Sequence, residues 1–115
     1  MTLSLALLLM AAAPPAAAPP PPGLQFGYFR MLAFQQRARE LRCGAGDLDS
    51  QFAAIRKKLV ARYGKAAFGT PKIPNGGPGE CAVALSVYRV NLDDFRKEAE
   101  AALAAAPSAA APGKE

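Results

Sequence analysis

The stretch Glu40–Phe52, ELRCGAGDLDSQF, decides how this 115-residue chain folds. It closes one amphipathic segment, turns on glycines, opens another, and sets Cys43 at the join. The second cysteine, Cys81, opens a third patterned segment in Pro78–Leu85, PGECAVAL. Upstream of the join, Leu24, Tyr28, Met31, Phe34, Ala38 and Leu41 recur in steps of three and four, the spacing of a helical stripe. Phe26, Phe29 and Leu32 fall off that stripe, so this helix begins with a wide apolar arc. Gly44 suits the C′ position, where a left-handed residue ends a helix at low cost. Asp47 is the expected N-cap of the next helix, with Asp49 facing the positive end of its dipole.

That second helix carries the stripe Leu48, Phe52, Ile55, Leu59, Tyr63, and Gly64 offers its stop. Residues 64–79, GKAAFGTPKIPNGGPG, hold five glycines and three prolines and read as a loop with one helical turn at Lys65–Phe68. The third helix has the cleanest pattern: Cys81, Leu85, Tyr88, Leu92, Phe95, Ala99 and Ala102 or Leu103, with Pro107 marking its end. A heptad seam of this length serves either a coiled-coil dimer or a core; beside two amphipathic helices the core is expected. The fold class expected is all-α, a three-helix domain over residues 24–105 with one disulfide. A leader (1–22) and a disordered tail (106–115), both rich in alanine and proline, flank it.

Joining Cys43 to Cys81 explains the long loop. Helix 2 carries the chain about 25 Å away from Cys43. The loop, about 50–55 Å when extended, can bring it back. Helix 3 then starts beside Cys43 and runs antiparallel to helix 1 and parallel to helix 2. An up-down-up bundle would need only about 2–8 residues there. Two buried thiols, or a redox or metal pair, are the other readings. Against the last, the spacing matches neither C-x-x-C nor the usual zinc patterns.

The first twenty-two residues, MTLSLALLLMAAAPPAAAPPPP, carry no charged side chain, and none appears before Arg30. Leu3–Ala13 is an apolar run of eleven. That fits the ~7–15 residues of a signal h-region and falls short of the ~20 that span a bilayer. Prolines 14, 15 and 19–22 would break a longer membrane helix. Export with cleavage between Ala11 and Pro19 is expected, although the only positive charge ahead of the run is the amino terminus. The other readings are a disordered leader on a cytosolic protein and an uncleaved tether.

Twenty-six alanines inflate the 51% hydrophobic content, so the core must be small. With no histidine, Ser-His-Asp, Cys-His and histidine-metal chemistry are impossible. Asp93, Asp94, Glu98 and Glu100 gather acids on helix 3. Arg89–Asp93, Asp93–Lys97 and Arg96–Glu100 are i,i+4 pairs, so a solvated salt-bridged face is expected. GKAAFGTPK is not a P-loop and NGGPGE is not a dinucleotide fingerprint. No catalytic, cofactor-binding or metal-ligating residue is expected, and no enzyme.

The net charge of +5 is uneven: residues 24–72 carry ten Lys/Arg against three acids, and residues 73–115 four against six. The halves either neutralise each other in the fold or leave the basic half for an anionic partner. The candidate anionic contact is Arg56, Lys57, Lys58, Arg62 and Lys65, with Arg39 and Arg42 as a smaller group on helix 1. The same helices read alternatively as a cytosolic helix-turn-helix DNA-binding protein with helix 2 in a major groove. Export argues against nucleic acid and limits membrane contact to the periphery.

The layout LRCGAGDLDSQFAAIRKKLVARYG followed by GPGECAVAL, spanning roughly residues 38–92, resembles small exported two-cysteine helical proteins of alphaproteobacteria. The resemblance implies export and paired cysteines, and implies no activity. The expectation is a small, non-catalytic helical protein of the bacterial envelope, periplasmic or secreted. It would have a structural or binding role toward an unidentified protein or anionic surface. The heptad seam and the apolar arc of helix 1 are the candidate contact surfaces.

Overall fold

Prolines begin the first helix. In the computed structural model, which describes residues 18–110 and side chains to residue 105, α1 spans Pro22–Glu40, two residues earlier than its stripe. Pro22 occupies the first turn, where its missing N–H would have no helical partner and its fixed φ is already helical. The Pro21 carbonyl accepts from the Leu24 and Gln25 amides at 3.0 and 3.1 Å. Helix α1 therefore takes in Pro22, the last residue expected to belong to the leader. The stretch expected to be an export signal, Leu3–Ala13, lies outside the described residues.

The end of α1 differs from expectation in an informative way. Its C-cap is Leu41, and the left-handed residue is Arg42 (φ 57°), not Gly44. The Cys43 amide bonds to the Ala38 carbonyl at 2.9 Å and the Arg42 amide to that of Arg39 at 3.0 Å, the paired bonds of a Schellman motif. Ending the helix two residues early puts Cys43 just beyond that turn. The second helix, α2, spans Gly46–Tyr63 with Ala45 as its N-cap and no side-chain cap. Asp47 thus sits inside the first turn with Asp49, serving the dipole rather than capping. Gly64 (φ 97°) stops α2 as read, and a short 3-10 turn follows at Lys65–Ala67.

Helix α3 spans Cys81–Ala110, continuing through Pro107, where the sequence placed its end. Alanine, the best helix former, supplies most of that last segment. Cys43 and Cys81 are disulfide-bonded, with Cα atoms 5.4 Å apart. Helix α3 therefore starts at the C-terminal end of α1 and runs back along it. It packs against both other helices. The Tyr88 hydroxyl bonds to Asp49 near the start of α2, and Arg96, farther along α3, reaches Gln51, two residues farther along α2, so α3 runs parallel to α2.

The heptad residues Tyr88, Leu92, Phe95 and Ala99 are all buried, so the seam is core and not a free coiled-coil surface. They meet Leu24, Tyr28, Met31 and Ala38 of α1, and Leu48, Phe52, Ile55 and Leu59 of α2. Tyr28 centres an aromatic cluster, with ring centroids 4.7 Å from Phe68, 5.6 Å from Phe52 and 6.3 Å from Phe95. Phe68, a loop residue, closes one side of it. Gly27 lets α1 approach α3: a Cβ there would lie 3.0 Å from the Glu98 carboxylate and 3.2 Å from the Phe95 ring. Among the described residues no strand forms and no helix is long and apolar enough to cross a membrane.

Candidate functional site: a basic pocket and an apolar groove

The return loop is tied down by the last turn and a half of α1. The Gln36 amide donates to the Ile73 carbonyl at 2.9 Å and to Glu40 at 2.9 Å. Arg37 donates to the Gly77 carbonyl and, at 2.6 Å, to that of Pro78. The Gly76 amide donates to Glu40 at 3.1 Å. The Gln36 and Gly76 bonds together hold the half-buried Glu40 carboxyl below its usual range. These ties divide the surface into two concavities, one on each side of Ile73.

The first is an apolar groove of about 470 Å³ between α1, the loop and the start of α3, lined by Ala33, Phe34, Leu41, Val83, Ala84 and Val87 among others. Val83, which lines it, is 59% exposed, and Phe26 is 62% exposed farther along α1. Phe26 and Phe29 thus realise the expected apolar arc, while Leu32 is half-buried. Arg30 stacks over the Phe26 ring, 5.4 Å from its centroid.

The second is a pocket of about 270 Å³ between α1, α2 and the loop. Its apolar surface comes from residues such as Leu32, Val60, Phe68 and Pro71, and three cations reach its edge: Arg39 from α1, Arg56 from α2 and Lys65 from the 3-10 turn. Gln35, Gln36 and Thr70 add neutral hydrogen-bonding groups, and no carboxylate lines it. Tyr28, only 4% exposed, also lines this pocket. Burial pushes its hydroxyl above the usual range, and the Arg56 charge pulls it back. Tyr88 provides the contrast. Its hydroxyl donates to Asp49 at 2.7 Å, and burial first, then that carboxylate, drive it well above its usual range. The Gln35 amide donates to the same Asp49 oxygen at 3.2 Å.

The five basic residues singled out in sequence are not one surface. Arg56 and Lys65 converge on the pocket, Lys58 lines a separate concavity with Glu100 and Arg96, and Lys57 is exposed away from both. Helical rotation of 100° per residue separates 56, 57 and 58. Arg62 is half-buried and lines none of these concavities. Sequence reading placed Arg39 in a lesser group and gave Tyr28 only a core role. The loop that brings both to the pocket has no periodicity to reveal its path.

The basic and acidic halves do not neutralise each other through ion pairs. Arg37–Glu40, Arg96–Asp93 and Lys97–Asp93 each lie within one helix, and among the described residues none joins the two halves. The expected Asp93–Lys97 pair forms at 3.3 Å, whereas Asp93 takes Arg96 rather than Arg89. Arg96 in turn reaches Asp93 and Gln51 rather than Glu100. Among the described residues no group of three His, Cys, Asp or Glu side chains gathers for a metal. No protein-family model, curated protein or solved structure matches the chain.

Proposed function

We propose that the chain is a small exported protein of the bacterial envelope that acts by binding rather than by catalysis. The Cys43–Cys81 disulfide carries this reading, because such a bridge persists in oxidising compartments. The apolar stretch Leu3–Ala13, of signal length, supports the same location. So does the resemblance to small exported alphaproteobacterial proteins. The absence of histidine from the whole chain removes the commonest acid–base and nucleophile-activating group, which favours binding over chemistry. The unpaired basic edge of the pocket and the exposed apolar groove are the surfaces on which a partner would act.

A DNA-binding role for α2 is the weaker reading. A groove-reading helix presents basic and amide side chains outward. The exposed positions of α2 include Ser50, Ala53, Ala54 and Ala61 around Lys57, while Arg56 turns toward α1 and the loop.

The test is the intact mass of the protein expressed with its own leader in a Gram-negative host and alkylated without reduction. The reading requires an N-terminally shortened chain, recovered from the periplasm, carrying no alkyl groups. Full-length protein with two alkyl groups would overturn both export and the bridge, and salt-sensitive binding to random duplex would then be measured.

A further inference from the structure

We infer that the pocket between α1, α2 and the return loop is a binding site for a small organic phosphomonoester, a dianionic head on a short apolar or aromatic body. The inference deepens the binding reading above and rests on it. Arg39, Arg56 and Lys65 come from three different elements and meet at one cavity of about 270 Å³ that no carboxylate lines. Three cations suit a dianion better than a single carboxylate, and arginine forks match phosphate oxygens two at a time.

Tyr28 supplies an independent observation. It is 96% buried by its 4% exposure, it lines the cavity, and among the described residues its hydroxyl has no hydrogen-bond partner. No fully buried side-chain polar atom is left unsatisfied among those residues, so this hydroxyl is not fully enclosed. A ligand oxygen would complete it. The usual competitor for the arginines is also engaged: Asp49 Oδ1 receives the Tyr88 hydroxyl and the Gln35 amide. Glu40 is held by Gln36 and Gly76. The apolar part of the wall, Leu32, Val60, Phe68 and Pro71, gives the body of the ligand a place that inorganic phosphate would leave empty.

Calorimetric titration of the oxidised, folded protein with phenyl phosphate tests the site, with inorganic phosphate and phenol as controls. Saturable one-to-one binding is expected, at least about tenfold tighter than for either control. Arg56→Gln and Arg39→Gln are each expected to weaken it by about tenfold or more, from the strength of a charge-assisted bond, while Lys57→Gln leaves it unchanged. Circular dichroism of each variant confirms that it is folded. Tyr28→Phe keeps the ring in the core and is expected to weaken binding severalfold.

Three results would overturn the site: no saturable binding, equal binding of inorganic phosphate, or equal losses from Lys57→Gln and Arg56→Gln. Flotation with vesicles containing phosphatidic acid, competed by phenyl phosphate, identifies a lipid head as the source of the ester. Binding of phenyl phosphate without flotation identifies a soluble one. Export is read separately, by mass, so failure of either claim leaves the other standing.

Discussion

Arg42 carries a conformation that an L-residue pays for, because the Schellman turn that ends α1 falls on it rather than on either nearby glycine. A left-handed non-glycine residue costs about 1–2 kcal/mol, partly offset for glycine by its greater chain entropy. Arg42→Gly is therefore expected to raise unfolding free energy by about 0.5–1 kcal/mol in urea titration. An equal loss would place the left-handed residue elsewhere. Tyr88 makes a second residue-scale prediction. Its folded pKa lies above the unfolded value, so the folded state keeps a proton that the unfolded chain loses. The contribution is complete below about pH 10 and falls as pH rises past it, by up to about 1.4 kcal/mol per unit. Denaturant titrations at pH 9 and pH 11 should show this fall. Tyr28, also raised, adds to it in the same direction. Tyr88→Phe should flatten the dependence at a cost of about 1–3 kcal/mol at pH 7, since Asp49 loses its donor.

The three helices were readable at the element scale because each stripe repeats at helical spacing, and the residues on it are those buried: Tyr28 and Met31, Phe52 and Leu59, Tyr88 and Phe95. Their ends were less readable. Asp47 looks like a cap and is not one, because α2 starts two residues earlier than that reading requires, at Gly46 with Ala45 as its N-cap. The pocket was half readable. Arg56 and Lys65, and Arg39 in a smaller group, were named for their charge, whereas their meeting with Tyr28 and Thr70 depends on the path of the return loop. That path is set by Gln36, Arg37 and Glu40, whose side-chain bonds to loop backbone follow no sequence period. The close approach of α1 to α3 was not readable either, since Gly27 lies within a helical pattern that tolerates alanine as well. Gly27→Leu is expected to cost about 1–3 kcal/mol in urea titration, as the added side chain meets Phe95. A variant as stable as the parent would mean that α1 sits farther from α3.

At the scale of the whole molecule, the disulfide fixes the arrangement that the helices alone leave open. It sets α3 at the end of α1 and makes α3 parallel to α2. The core is a single aromatic cluster with aliphatic flanks, and much of the remaining apolar composition is alanine. Closing a 38-residue separation contributes about 4 kcal/mol by the loop-entropy relation. That is a large part of the roughly 5–15 kcal/mol that stabilises a domain. The most direct measurement is urea unfolding of the oxidised and the reduced protein at pH 7, followed by circular dichroism. The account predicts that reduction lowers the unfolding free energy by about 4 kcal/mol. An unchanged midpoint and slope would contradict it, and would mean that the core holds the three helices in place without the bridge.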